Sequence, residues 1–394
     1  MHVPLWASVV LSRLLIVGVA AVGALHGQWS RGWRGFDPNG FTLSLGSVGN
    51  VIAASTDRWD ALHYVDIART GYVDHANAVF FPLYPLLIHA FAWLVRSDVL
   101  AGVLISLIAF ATALELLRRL TTEELGASTA QAAVLLLAFA PVSFFFTAIY
   151  TESLFLALSL GAFYLGRRGR FGFAGALAGA AALTHMEGAV LAVPLGIMYL
   201  QRHRALTTPH RLPSPEAAAL ALPLLAPVTF AVYLHTRGYS LLAVLSGQSS
   251  VANARHLNIP PVAVARAISV SERSMSRVIS GRTSMHDWIT GIGFHETFYL
   301  VVVAISVAAL VGAWKRLPRS YSIYSGLVLL IFASSPAVND PLESIDRFVL
   351  VLFPLWMAAA AWLIERRLVG KTVLVSGVLL CIFTFDFAHW VFIA

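Results

Sequence analysis

Between residues 58 and 85 the chain reads Arg58-Trp-Asp-Ala-Leu-His-Tyr-Val-Asp-Ile-Ala-Arg-Thr-Gly-Tyr72 and then Phe80-Phe-Pro-Leu-Tyr-Pro85, a stretch that crowds acids and aromatics beside prolines. A carboxylate in such a setting suits general-base chemistry, because partial desolvation tunes its pKa and a base must come within about 3 Å of the hydroxyl it activates. Asp57 and Asp60, which flank Arg58 and Trp59, are the two acids in question. The segment also reads as an amphipathic helix, capped by Ser55, Thr56 or Asp57 and stopped at Gly71. In that plainer reading the acids complement a helix N-terminus, and Trp59 and Tyr64 anchor the helix at a membrane interface.

The elements that must hold this stretch are membrane helices. Hydrophobic residues make up 58% of the 394, charged residues only 12%, and mean hydropathy is +0.76, more apolar surface than a soluble domain of this length needs. Backbone groups in lipid must pair internally, so apolar runs near the ~20 residues that cross the bilayer are expected to be helical. The fold class is therefore all-α, a polytopic helical membrane protein of one integral domain, residues 1–394, with about 11 spans expected. The first is Pro4 to Leu25, read as a retained helix rather than a cleaved signal. The others fall near 98–117, 128–149, 152–166, 171–184, 188–201, 216–235, 297–314, 321–334, 347–364 and 371–390.

The net charge of +7 does not point to nucleic acid, because the basic residues sit singly or in short clusters between apolar runs. Arg118-Arg119, Arg167-Arg168, Arg202 to Arg204, Lys315-Arg316 and Arg366-Arg367 all lie at span ends, where the positive-inside rule puts them in the cytoplasm. The polar motifs then share the opposite face: a first outer loop at 26–97 with juxtamembrane helices, the turns at 150–153 and 184–188, a long outer loop at 236–296 and the segment 334–347. This parity requires that Phe80 to Val95, short and begun by prolines, does not cross. The lone Cys381 allows neither an intramolecular disulfide nor a cysteine metal site. His286-Asp287 and His295-Glu296 are too widely separated to make a convincing metal motif, and no cofactor is expected. The arginines from Arg255 to Arg282 fit a solvated surface or a guide for an anionic lipid acceptor.

Trp59-Asp60 with His63-Tyr64, Ile67-Ala68 and Gly71-Tyr72, followed by the Phe80 to Pro85 motif, resembles the PIG-V family of mannosyltransferases. The resemblance continues through Tyr150-Thr-Glu-Ser-Leu-Phe155, Ala182-Leu-Thr-His-Met-Glu-Gly188 and Ser344-Ile-Asp-Arg-Phe348 with Phe353-Pro354. It implies a GT-C-type fold that moves a sugar, typically mannose, from a polyprenyl-phosphate donor to an acceptor hydroxyl on the extracytoplasmic face. It also implies that Asp60 is the base of a single displacement with inversion, without metal.

A lipid-phosphate leaving group needs positive charge, for which Arg58 and Arg347 are the candidates. Trp59, His63, Tyr64 and Tyr84 are candidates to stack on the sugar or line the lipid channel, with interfacial anchoring as the alternative for the aromatics. Glu152, an acid at the head of an apolar run, and the pair His185 and Glu187 are further substrate-binding candidates. At His185 the chain departs from the family pattern, which usually has arginine there, and Glu187 is an addition.

Partners implied are the polyprenyl-phosphate sugar, a glycolipid, glycan or protein acceptor, and the bilayer. Composition rich in alanine and in arginine over lysine points to a bacterial plasma membrane with the site facing outward; in a eukaryote the same side is the ER lumen. Two other readings stand beside this one. A lipid or solute transporter would spread polar residues through the span interiors, and a noncatalytic GT-C-like assembly partner would lack the base.

Overall fold

A computed structural model describes residues 4–28, 35, 37–206, 215–250, 255, 258–285, 288, 292–338 and 340–391. It is nearly all helix, 79%, with no strand among the described residues, so the fold is all-α as the composition requires. Helix α1 (Leu5–Gln28) is followed by three shorter helices, α2 (Gly46–Ile52), α3 (Asp60–Thr70) and α4 (Leu83–Val95). A first bundle follows: α5 (Asp98–Leu125), α6 (Ala127–Ala138), α7 (Glu152–Arg167), α8 (Phe171–Ala182), α9 (Ala192–Leu206) and α10 (Leu222–Thr236). The long second loop is itself largely helical, with α11 (Ala243–Ser250) and α12 (Pro260–Ile279), and the chain closes with α13 (Ile292–Arg316), α14 (Arg319–Ala333), α15 (Ile345–Leu350), α16 (Phe353–Glu365) and α17 (Val369–Ala388).

Among the described residues, five stretches are long and apolar enough to cross a membrane: Leu5–Leu25, Asp98–Leu125, Glu216–Thr236, Gly293–Arg316 and Val369–Ala388. Among the remaining expected crossings, α6, α8, α14 and α16 are shorter apolar helices; α4, expected not to cross, is likewise short and apolar. At about 1.5 Å per residue, helices of 12 residues such as α6 and α8 cover only about 18 Å of a ~30 Å hydrocarbon layer. The expected crossing at 128–149 is broken because Pro141 lacks an N–H and disfavours helical backbone at Ala140; the chain turns instead into a 3-10 segment at Ser143–Phe146.

That break exposes carbonyls inside an apolar bundle, and Arg13 of α1 answers them. Its guanidinium donates to Ala138 O at 3.1 Å, Ser143 O at 2.9 Å, Ser143 Oγ at 2.6 Å and Thr147 Oγ1 at 3.1 Å, and lies over the Phe110 ring. A charged group at this depth is tolerated because every donor has a partner. The 143–147 turn so fixed leads directly to Tyr150 and Glu152.

Helix α5 packs on α6 and α7, α7 on α8, α1 on α17, and α13 on α12 and α16. The α1–α17 contact is backbone to backbone, since a Cβ on Gly23 would lie 2.7 Å from the Phe385 carbonyl oxygen. Tyr321 on α14 donates to Glu124 at the end of α5 (2.8 Å), and Arg167–Glu124 (2.6 Å) and Arg168–Glu123 (2.5 Å) join the end of α7 to the same place. The basic span ends therefore gather at one end of the bundle. Glu152, the first residue of the 16-residue α7, lies at the opposite end, about 23 Å away by helix rise.

Candidate active site

Asp60 is the first residue of α3, and the residue before it is strained: Trp59 has φ 56°, left-handed backbone that a bulky side chain adopts at a cost of about 1–3 kcal/mol. Three contacts hold that corner. The Tyr150 hydroxyl donates to Arg58 O (3.0 Å) and accepts from Asp60 N (3.3 Å), while Asp57 Oδ1 accepts from Ile149 N (3.2 Å). The Asp60 helix is thereby tied to the 149–152 turn that carries Glu152. Asp57 is buried by this role, and burial pushes its carboxyl up to about 7.

A second left-handed residue, Ser344 at φ 67°, precedes α15, which carries Arg347. Arg347 Nη1 donates to Asp60 Oδ2 at 2.7 Å, and its Nε lies 3.2 Å from Glu152 Oε1. The three residues come from three distant motifs and form one charged chain. The rings of Phe348, Tyr150 and Phe145 surround the guanidinium at 5.3, 5.5 and 5.7 Å, lowering the local dielectric and strengthening each charge contact. Burial grades along the chain: the Glu152 side chain is 4% exposed, Arg347 14% and Asp60 31%, so Asp60 is the member open to a ligand.

His185 and Glu187 lie beside this chain. Nδ1 of His185 pairs with a Glu187 oxygen, and the imidazole lies 5.6 Å from the Phe155 ring and 5.5 Å from the Phe348 ring. The turn that carries the pair is pressed onto the end of α8, where a Cβ on Gly188 would meet Ala182 N at 2.3 Å. Burial disfavours the charged ring, but the Glu187 carboxylate and the bond to it outweigh that and raise the His185 pKa above its usual value. Burial likewise opposes the Glu187 charge, and His185 holds its pKa below the usual carboxylate value.

Other sequence-derived candidates lie elsewhere. Arg58 is buried, and its guanidinium donates to Ala54 O (2.8 Å), Asp57 O (3.0 Å) and Ala388 O (3.1 Å) while lying over Trp390. With Nε and Nη1 bonded to carbonyls, it braces the Asp60 corner against α17 and lies outside the Asp60–Arg347–Glu152 chain. Tyr84 is fully buried, with its hydroxyl bonded to Gly102 O and Ser106 Oγ on α5, which removes it from the sugar-stacking set. Tyr64 is also buried, near Thr151 Oγ1 at 3.5 Å and edge-on to Phe80, and supports α3 from below. Trp59 is partly buried and meets Trp390 edge to face, and His63 stacks on Phe80 with Nδ1 at 2.8 Å from Asn77 Oδ1.

His286 and Asp287 lie outside the described residues, and Glu296 accepts from Leu342 N at 3.1 Å. Sequence reasoning gave Tyr150 no role of its own, although it stands within a motif already singled out. Arg255, read there as solvated surface or a guide for an anionic acceptor, is half-buried, and its guanidinium donates to Ser335 O (3.1 Å) and Glu343 O (2.9 Å).

Residues 44–205 match the family model described as Mannosyltransferase (PIG-V). Over that stretch the chain is similar to the PIG-V family. No curated protein matches the chain. The match supports a glycosyltransferase of the mannosyltransferase class, and the apolar helices support an integral membrane protein. Asp60, Glu152, His185 and Glu187 fall inside the PIG-V match; Arg347 lies beyond it and is joined to them by the fold.

Proposed function

We propose that the protein transfers a mannosyl group from a polyprenyl-phosphate donor to an acceptor hydroxyl on the extracytoplasmic face, with inversion at the anomeric carbon. The observation that carries this reading is the Asp60–Arg347–Glu152 chain, which puts a third-exposed carboxylate beside a cation at the end of the bundle opposite the basic span ends. A donor phosphate that reaches Arg347 competes for the guanidinium and releases Asp60 Oδ2. The freed carboxylate takes the acceptor proton as the acceptor oxygen bonds to the anomeric carbon. The bond from that carbon to the phosphate oxygen breaks, and its electron pair leaves with the lipid phosphate, whose growing charge Arg347 stabilises. Glu152 keeps the guanidinium aimed.

A groove beside this centre supports a lipid-linked donor. It measures about 460 Å³, and Val264 and Ile268 of α12, Val303 of α13, Leu329 of α14 and Ile345 of α15 are among its apolar walls. Ile345 belongs to α15, the helix that also carries Arg347. Facing outward is supported by the basic span ends at the far end.

The test is mannose transfer from radiolabelled polyprenyl-phosphate mannose into membrane extract by purified wild type and Asp60→Asn. Labelling by wild type that collapses in the variant, with donor binding retained, is expected. Equal labelling by both would remove Asp60 from the chemistry, and the absence of transfer by wild type would overturn the donor assignment.

A further inference from the structure

We propose that His185, held by Glu187, is a second contact to the donor phosphate in this chain, standing where the family pattern has arginine. The inference rests on the polyprenyl-phosphate donor proposed above and adds a residue to its recognition. Arg347 is the cation of the Asp60–Arg347–Glu152 chain, and two carboxylates already share it. A leaving phosphate passes from one negative charge to two as the sugar departs, so a further donor that strengthens with that charge has something to act on.

The geometry supplies one. Nδ1 is committed to Glu187, which fixes the ring's orientation, and among the described residues Nε2 has no hydrogen-bond partner. The side chain is 22% exposed, so Nε2 is available to a ligand while the ring is clasped by Phe155 and Phe348. Those two rings stand one helical turn after Glu152 and directly after Arg347, which places the imidazole alongside the charged chain. The charged groups facing His185 are Glu187 on its own turn, Glu152 on α7 and Arg347 on α15. Behind the pair, Arg255 and Tyr324 of α14 face Glu187.

In the transfer step His185 keeps its proton and donates Nε2–H to a phosphate oxygen. The proton released by the acceptor goes to Asp60, and the electron pair of the broken glycosyl bond goes to the phosphate. Glu187 raises the His185 pKa above its usual value, so the cationic form extends to higher pH than in a free imidazole and is lost as pH rises through the raised value. Transfer should therefore fall on an alkaline limb that belongs to this residue.

The experiment measures transfer against donor concentration and pH for wild type, His185→Gln, His185→Arg and Glu187→Gln, with melting temperature as a check on folding. His185→Gln should lower kcat/KM for the donor by about 10–100-fold, the range of a charge-assisted hydrogen bond. His185→Arg should restore transfer to within about 3-fold and abolish the alkaline limb, and Glu187→Gln should move that limb to lower pH. Transfer by wild type with an unchanged donor KM and pH profile in His185→Gln would overturn this inference alone. Equal loss in His185→Gln and His185→Arg, both folded, would also overturn it by assigning the ring a packing role. No transfer by wild type from this donor would overturn the donor assignment and the inference with it.

Discussion

The two ends of the bundle use the same chemistry, arginine against carboxylate, to different effect. At the end where the basic span ends gather, Glu115 takes Arg118 and Arg119 within one helix, Glu123 and Glu124 take Arg168 and Arg167, and Arg316 takes Glu365. Most of these side chains are more than a quarter exposed, and solvent screens them; such contacts are worth about 0–1 kcal/mol. At the other end Arg347 serves Asp60 and Glu152 together, enclosed by aromatic rings, between helices far apart in sequence. Removing one partner there leaves a charge in a low-dielectric site, so the difference between the two ends is burial and shared partners rather than the ion pair as such.

The comparison can be broken in order of expected effect. Asp60→Asn should lower kcat by about 10²–10⁴-fold with little change in melting temperature, since its side chain is the exposed member of the chain; transfer assays and thermal unfolding measure both. A large loss of stability instead would make Asp60 chiefly a structural partner of Arg347. Arg347→Gln strands Glu152 and should cost about 3–5 kcal/mol of stability, with part of it recovered in the double variant Arg347→Gln, Glu152→Gln. Denaturation in a fixed detergent reads this, and additive losses would deny the coupling.

Asp57→Asn keeps an acceptor for Ile149 N and removes a carboxyl whose folded pKa, about 7, lies above its unfolded value. A group raised in this way contributes stability below its unfolded pKa and loses it as pH rises through 7, so the variant's melting temperature should exceed wild type by about 2–4 °C more at pH 8 than at pH 5. A gain independent of pH would place the charge outside the folding balance. At the far end, Glu365→Gln should change stability by less than about 1 kcal/mol and leave transfer intact.

Much of this was legible in the residues. Hydropathy gave the helical membrane fold, and the motifs holding Asp60, Glu152, His185 and Arg347 stood out because acids and histidine at helix ends in an apolar chain require a reason. Span lengths were less legible: a hydropathy run at 128–149 conceals the stop at Ala138, since an apolar 3-10 turn reads the same as an apolar helix. That Arg58 and Tyr84 bond to backbone and hydroxyl groups outside the charged chain was not legible, because a guanidinium or phenol next to a polar motif has the same letter whether it meets a ligand or a carbonyl. Their partners, Ala388 and Ser106, belong to helices no local pattern connects.

The sequence alone determined that helices cross a bilayer, that basic residues mark one set of ends, and that a few charged motifs collect at the others, because composition and periodicity are local properties with solvent as their judge. Tertiary structure decided which of those motifs touch. Asp60 meets Arg347 only because Arg13 caps a broken helix, Tyr150 and Asp57 fasten the α3 corner to the turn that follows, and Ser344 bends α15 into place. Contacts spanning nearly three hundred residues of chain follow from how these elements pack, and packing depends on every helix at once.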